Sequence, residues 1–256
     1  MFQIIEFIKF LFQSTNQHGV HSPFVFDLVT KCFYDKTHYK VYNKLASYRS
    51  SLLKSNSKIE ITDYGSGSRV FKTNLRSISA LAKTSGTTLK RAKLLFRIVK
   101  YFEPQQSLEL GTSLGIATHA MALGNTDNSI ISIEGCSNLS NFTKHQLLNA
   151  NIENVVIKTG HISEIIPKLK PHAYDLVFVD ANHTKEATLD YFDFLIKKAH
   201  NDSVFIFDDI HWSKGMLEAW EVIKKHPKVT VTIDTFFWGF VFFRKEQAKE
   251  NFTIRL

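Results

Sequence analysis

The chain has 256 residues, 44% of them hydrophobic, and a formal net charge of +8. This length fits one domain, or one domain with a small appendage, and the apolar content excludes wholesale disorder. Two cysteines, Cys32 and Cys136, lie far apart without metal-ligand spacing, which argues against a disulfide framework or a zinc site and suits a reducing cytoplasm. The basic balance favours acidic partners such as nucleic acid, anionic lipid or a phosphorylated substrate. The lysines are scattered and many alternate with acids, so a solvated basic surface is the expected reading and a polyanion site the alternative.

The first residues, Met1 to Phe12, are apolar but interrupted by Glu6 and Lys9. They fall short of the ~20 apolar residues that span a bilayer. They also lack the basic start and small-residue cleavage site of a secretory signal. A helix packing on the domain or capping its active site is expected, with attachment to a membrane surface as the second reading. Residues 1 to 88 are irregular in texture and form a mainly helical lid or substrate-side region. Within it, His18-Gly-Val-His-Ser-Pro-Phe-Val-Phe26 concentrates two histidines and two phenylalanines before a helix.

From residue 89 to 256 strands and helices alternate, the pattern of a parallel α/β sheet. Lys90 to Phe102 carries apolar residues at helical spacing and ends at Pro104. Ser107 to Leu110 is a short strand, followed by a glycine turn and a helix over Ile116 to Leu123. Ser129 to Ile133 is the next strand, ending at Glu134, and a polar helix covers Ser137 to Ala150. Asn154 to Lys158, Tyr174 to Asp180 and Ser203 to Phe207 are further strands, with helices over Ile162 to Leu169, Thr188 to Ala199 and Trp212 to Lys225. The Val177-Phe-Val179 run suits a strand buried on both faces. Val229 to Asp234 and Phe236 to Phe243 are separated by so little chain that they must pair as an antiparallel hairpin.

Glu109-Leu-Gly-Thr-Ser-Leu-Gly115 sits between a strand and a helix, at the carboxyl edge of the sheet where α/β folds bind ligands. Gly111 and Gly115 allow close backbone approach, while Thr112 and Ser113 add hydroxyls near a helix N-terminus that favours a carboxylate. Glu109 could accept from a cationic or amino group. The Gly-x-x-x-Gly spacing is not that of a pyrophosphate cradle. Glu134, ending the next strand, is placed to take both hydroxyls of a ribose. Ile61-Thr-Asp-Tyr-Gly-Ser-Gly-Ser68 looks superficially like a better glycine motif. No strand with a terminal acid follows it, so a loop or flap near the substrate is expected instead.

Together with Ser-Ile-Glu134, Thr159-Gly-His-Ile-Ser163 and Tyr-Asp-Leu-Val-Phe-Val-Asp180, this loop resembles the successive motifs of class I S-adenosylmethionine-dependent methyltransferases over residues 90 to 245. The resemblance implies a doubly wound, mostly parallel seven-stranded sheet in the order 3-2-1-4-5-7-6, with the last hairpin antiparallel. It implies that Glu109 to Gly115 hold the methionine part of the cofactor, Glu134 the ribose, and Gly160, His161 and Ile162 the adenine, with Asp180 bordering the cofactor. Many members carry an acid near the place of His161.

The fourth and fifth strands end in Asp180-Ala-Asn-His183 and Asp208-Asp-Ile-His211. Both ends are expected to face the crevice that holds the cofactor, bringing three carboxylates and two imidazoles together as catalytic candidates (Asp180, His183, Asp208 and His211). Carboxylates suit a hard ion such as Mg2+, which would bind a substrate hydroxyl and lower its pKa. Similarity to catechol-type O-methyltransferases places Asp180, Asp208 and Asp209 on the metal positions, with Asp209 where those enzymes have an amide. The alternative is metal-free, with His183 or His211 as general base.

Asp180-Ala-Asn-His lacks the Pro-Pro pattern of enzymes that methylate base amino groups, which disfavours nucleic acid as acceptor. The expected function is O-methylation of a small molecule, cytoplasmic and without a transmembrane segment; a homodimer is compatible. A polymer acceptor such as RNA or glycan, reached through the basic N-terminal region, and a non-catalytic nucleoside-binding module are the competing readings.

Overall fold

A computed structural model describes residues 1–62, 73–170 and 173–256. The Asp63–Ser68 motif therefore lies outside the described residues. The chain divides into two compact units, one built from Met1–Tyr34 with Ile166–Leu256 and the other from Asp35–Ile165. Both the irregular region and the alternating region are cut by this division.

The first unit begins with α1 (Phe2–Gln13) and α2 (Pro23–Leu28), the latter capped by Ser22, whose hydroxyl accepts from Val25 N. A π-helical turn over Val29–Phe33 follows. The second unit opens with α3 (Val41–Leu53), then β1 (Lys58–Glu60), β2 (Leu75–Ser77) and α4 (Ile78–Thr84), with β1 and β2 forming a separate antiparallel pair. Its α5 (Leu89–Phe102) starts at Thr88, which accepts from Arg91 N, and ends at the left-handed Glu103, just before Pro104. Beyond that come β3 (Gln106–Leu110), α6 (Ile116–Gly124), β4 (Ser129–Glu134), α7 (Ser137–Asn149), β5 (Val155–Thr159) and the short α8 (Ile162–Ile165).

The chain then returns to the first unit with β6 (Leu176–Val179), α9 (Lys185–Leu195), β7 (Val204–Asp208), α10 (Lys214–Lys225), β8 (Val231–Asp234), β9 (Trp238–Phe242) and β10 (Glu250–Thr253). Thr184 and Ser213 cap α9 and α10, accepting from Ala187 N and Met216 N. Hydroxyl caps of this kind satisfy amide donors that the first turn leaves unpaired, which is why both helices begin where they do.

Eight strands make one mostly parallel sheet. In the second unit β3, β4 and β5 pair in parallel with β3 and β5 flanking β4, the expected 3-2-1 half. In the first unit the order is β6, β7, β9, β8, the expected 4-5-7-6 half, and β9 runs antiparallel to both its neighbours. One strand was not foreseen. β10 adds to β8 in parallel, burying Phe252, so the sheet has eight strands rather than seven. Its Asn-Phe-Thr-Ile alternation is too short to stand out among polar neighbours, and pairing with an existing edge decides it. Among the described residues no helix is long and apolar enough to cross a membrane.

The core of the first unit is aromatic: Trp220, Trp238, Phe178, Phe192, Phe205, Phe207 and Phe240 are all almost fully buried. Gly239 lies so close under Trp220 that an added Cβ would come within 2.7 Å of the indole. Trp220 and Trp238 are thus core, as their apolar surroundings in the sequence suggest, and Trp212 is half-buried.

Candidate functional site

In the second unit, the register of β3 on β4 sets Leu110 opposite Ile133, so Gly111 and Glu134 leave the sheet side by side. Gly111 N and Thr112 N both donate to Ile133 O, at 2.9 and 3.3 Å, folding the loop over the end of β4. The register of β4 on β5 sets Glu134 opposite Thr159, and Gly160 N donates to Glu134 O at 2.9 Å. The three expected cofactor segments therefore start at one edge of one unit. Three consecutive features require unusual backbone there: Gly111, Ser113 and Gly115 all have positive φ, at 96°, 47° and 72°. At Gly115 a Cβ would also meet Thr143 Cγ2 at 2.5 Å, so only glycine fits without displacement.

Glu134 is 9% exposed and holds this loop. Its Oε2 accepts from Ser113 N at 2.8 Å and its Oε1 from Cys136 N at 2.9 Å. Burial raises its pKa, while these backbone donors pull it back down. Each oxygen keeps a lone pair for a further donor. Glu109, by contrast, is fully buried beneath the loop. Its carboxylate accepts from Thr118 Oγ1 at 2.6 Å and from Ser132 Oγ, which also bonds Thr112 Oγ1. Glu109 and Thr112 thus underpin the loop rather than line its surface. Ser132 and Thr118, polar residues inside an apolar strand and an apolar helix, were the overlooked signal of this buried knot. Thr143 Oγ1 donates to Ser113 O at 2.6 Å and Tyr48 OH to Leu114 O at 2.9 Å, which completes the frame. His161 and Ile162 are half-buried, and His161 Nδ1 lies 2.6 Å from Ser163 Oγ.

Across from Leu114, Tyr48 stacks on His119, with ring centroids 4.4 Å apart. Burial, with Lys44 adding like charge, lowers the His119 pKa to about 4.

In the first unit, the strand ends carry the other set. Ligand atoms of Asp180, His183 and Asp208 all lie within 4.8 Å of one another. His183 Nε2 is 3.4 Å from Asp180 Oδ1. Burial would lower the His183 pKa, but the hydrogen bond to Asp180 and the charges of Asp180, Asp209 and Asp208 outweigh it and raise it to about 9. Asp209 acts on His183 electrostatically, while the group within 4.8 Å is formed by Asp180, His183 and Asp208. Asn182, His183 and Asp209 all have positive φ, at 68°, 49° and 54°. Left-handed non-glycine residues cost of order 1 kcal/mol or more each and gather where function over-determines them.

His211, 8% exposed, stands apart from this group. Its Nε2 is 2.7 Å from Asp234 Oδ2, while Asp234 Oδ1 accepts from Phe236 N at 2.7 Å. The imidazole stacks on Phe236 at 5.0 Å and 8°, and α1 brings Phe7 and Phe10 against the same ring. The N-terminal helix thus packs over the end of the hairpin, as its Ile/Phe pattern suggested. Sequence reading missed Asp234, which has no motif and acquires a partner only when the hairpin folds back. Of the His18–Phe26 segment, Phe24 packs on Phe242 at 5.0 Å, whereas His18 and His21 are exposed.

The family described as a methyltransferase domain matches residues 108–210. No curated protein matches the chain. Among solved structures, a Bacillus cereus O-methyltransferase in complex with SAH is similar at a TM-score of 0.57 and 16% identity, over 83% of this chain and 95% of that one. A SAH-bound methyltransferase of Podospora anserina reaches a TM-score of 0.64 at 11% identity, covering 88% and 97%. A Streptomyces achromogenes O-methyltransferase involved in tomaymycin synthesis, in complex with SAM, reaches 0.58 at 16%, covering 84% and 95%. Such identities speak for the fold. Residues 108–210 match a methyltransferase domain, and the fold is that of these solved methyltransferases.

Proposed function

We propose that the chain transfers the methyl group of S-adenosylmethionine to an oxygen of a small molecule, with a divalent cation assisting. The observation that carries the reading is the second unit's strand edge, where Gly111–Gly115, Glu134 and Gly160 are brought together by strand register. Ser113 to Gly115 precede the N-terminus of α6, suited to the carboxylate of the methionine part. Glu134 accepts ribose hydroxyls with the lone pairs its backbone donors leave free. Gly160 and Ile162 border the adenine, with His161 beside them, and Glu109 and Thr112 keep the loop in shape from below. Asp180 is assigned to the acceptor side.

Two carboxylates and an imidazole within 4.8 Å fit a divalent ion. Asp180, His183 and Asp208 would hold it, an oxygen-rich set suited to Mg2+ and, through its nitrogen, to a transition ion. A bound cation there would acidify a coordinated hydroxyl. Without a cation the gathered carboxylates keep His183 protonated near neutral pH, and a bound cation would have to displace that proton before the imidazole could ligate it. A second reading rests on His211, whose orientation is fixed by Asp234 and Phe236. With Nε2–H directed at Asp234, its Nδ1 is the acceptor for a hydroxyl proton. Methyl transfer otherwise needs only in-line alignment of oxygen, methyl and sulfur. The region up to residue 88 is taken as the acceptor side, and two buried cysteines outside any disulfide suit a cytoplasmic setting. A homodimer is the proposed assembly.

Isothermal titration with S-adenosylmethionine, with chelator and with MgCl2, tests the reading. Binding that Glu134→Ala weakens at least tenfold, and methyl transfer to phenols or sugar hydroxyls that rises with Mg2+, is expected. Absence of S-adenosylmethionine binding would sink it.

A further inference from the structure

The +8 charge is not spread along the chain. Residues 36–100 carry fifteen Lys and Arg against two carboxylates, Glu60 and Asp63, while the remaining residues have seventeen against twenty-two. In the second unit part of this excess becomes one face. On α5, Lys90, Lys93, Arg97 and Lys100 recur at intervals of three, four and three, a single stripe of the helix. The stripe lies against the first turn of α3 and the residues just before it: Lys93 Nζ sits 4.8 Å from the Tyr42 ring centroid, Lys100 Nζ 5.8 Å from that of Tyr39, and Arg97 Nη1 donates to Tyr42 OH at 3.1 Å. Lys36 and Lys40, both exposed, flank Tyr39.

Like charges at these spacings repel, and a merely solvated face is usually interleaved with acids. Here Lys36, Lys40, Lys93 and Lys100 have no carboxylate partner among the described residues. Asp35, an acid that feels the charge of Arg97, accepts from Tyr39 OH at 2.7 Å and from Thr37 N at 2.8 Å. The two tyrosine rings hold lysine stems in place, which reduces the entropy lost when an anion binds. None of the large exposed apolar side chains falls within residues 35–44 or 89–102, so the face lacks the wedge that a bilayer surface rewards.

We propose that this face docks a nucleic acid through its phosphodiester backbone. The inference stands apart from methyl transfer, since it concerns binding alone and needs no cofactor. Fluorescence anisotropy of the full chain with labelled 20-nucleotide RNA and DNA single strands tests it, without S-adenosylmethionine. Binding that weakens with salt is expected, log K falling on log salt with a slope of about −3 for four phosphate contacts. Replacing Lys36, Lys40, Lys93 and Lys100 together by Glu should reduce affinity at least tenfold while the circular dichroism spectrum is kept. Should that variant not fold, the same four positions as Gln provide the milder test. The stronger of the two strands identifies the class of partner. Failure of both strands to bind at low salt, binding unchanged in the Gln variant, or the same lysines serving phosphatidylserine vesicles but neither strand would each overturn it.

Discussion

Two histidines, half-buried His183 in the first unit and buried His119 in the second, are pushed in opposite directions. His183 in the first unit is raised to about 9, and His119 in the second is lowered to about 4. Burial favours the neutral ring in both, so the neighbours decide. Three carboxylates act on His183, whereas His119 has a tyrosine ring stacked on it and the like charge of Lys44 nearby. The carboxylates of the two units differ in the same way. In the second unit Glu134 and Glu109 are bonded to backbone amides and hydroxyls and hold a loop. In the first unit Asp180, Asp208 and Asp209 act on a histidine, and the backbone there is left-handed at three non-glycine residues. Acid at a strand end thus orders a loop where donors surround it, and raises the pKa of a neighbouring imidazole where acids gather.

The largest effect that separates the two sets is on turnover. Asp180→Ala should lower kcat by about 10²-fold or more while S-adenosylhomocysteine affinity changes little. Equal losses in both would mean that the two units do not divide the work. Proton linkage comes next. His119, with its depressed pKa, contributes stability that is present above about pH 6.5 and lost as pH falls toward 4, up to about 3 kcal/mol. His183 in chelator-treated protein works the other way. Its contribution is present below about pH 6.5 and is lost as pH rises through 9. Urea unfolding of the protein, of His119→Gln and of His183→Gln over this pH range should remove the acid limb in one variant and the alkaline limb in the other. An NMR titration of His183 should also drop by at least about one unit in Asp180→Asn.

Smaller effects probe the loop. Gly115→Ala should cost about 2 kcal/mol of stability, from the left-handed backbone and the contact with Thr143 together, read from the denaturation midpoint. Glu134→Ala leaves the amides of Ser113 and Cys136 without their acceptor and should cost about 1–2 kcal/mol in addition to its effect on cofactor binding. A Glu134→Ala protein as stable as the parent would show that water replaces the carboxylate, and that its place at the strand end serves the ligand alone.

Much of this was legible beforehand because it is local. Apolar runs of four to six residues, glycines at a strand–helix turn and hydroxyl caps are fixed by near neighbours, and so β3, α6, β4, β6, β7 and the antiparallel β8–β9 hairpin fall close to their expected limits. Ser107, expected to open a strand, lies inside β3, and Trp212, expected to open a helix, lies before the Ser213 cap. Ends shift by a residue or two since caps and partner strands set them.

What the sequence by itself determined was the order of elements, the glycine loop with Glu134 behind it, and the acids at Asp180, Asp208 and Asp209. Tertiary structure decided which side of the loop each acid occupies, since burial and hydrogen-bond partners arise only when β3 lies against β4. It set His183 beside Asp180, because a left-handed turn after β6 brings that imidazole back to the strand end. It gave His211 the partner Asp234, twenty-three residues away, and β8 the partner β10. Register between distant strands carries no local signature, and each of these pairings depends on it.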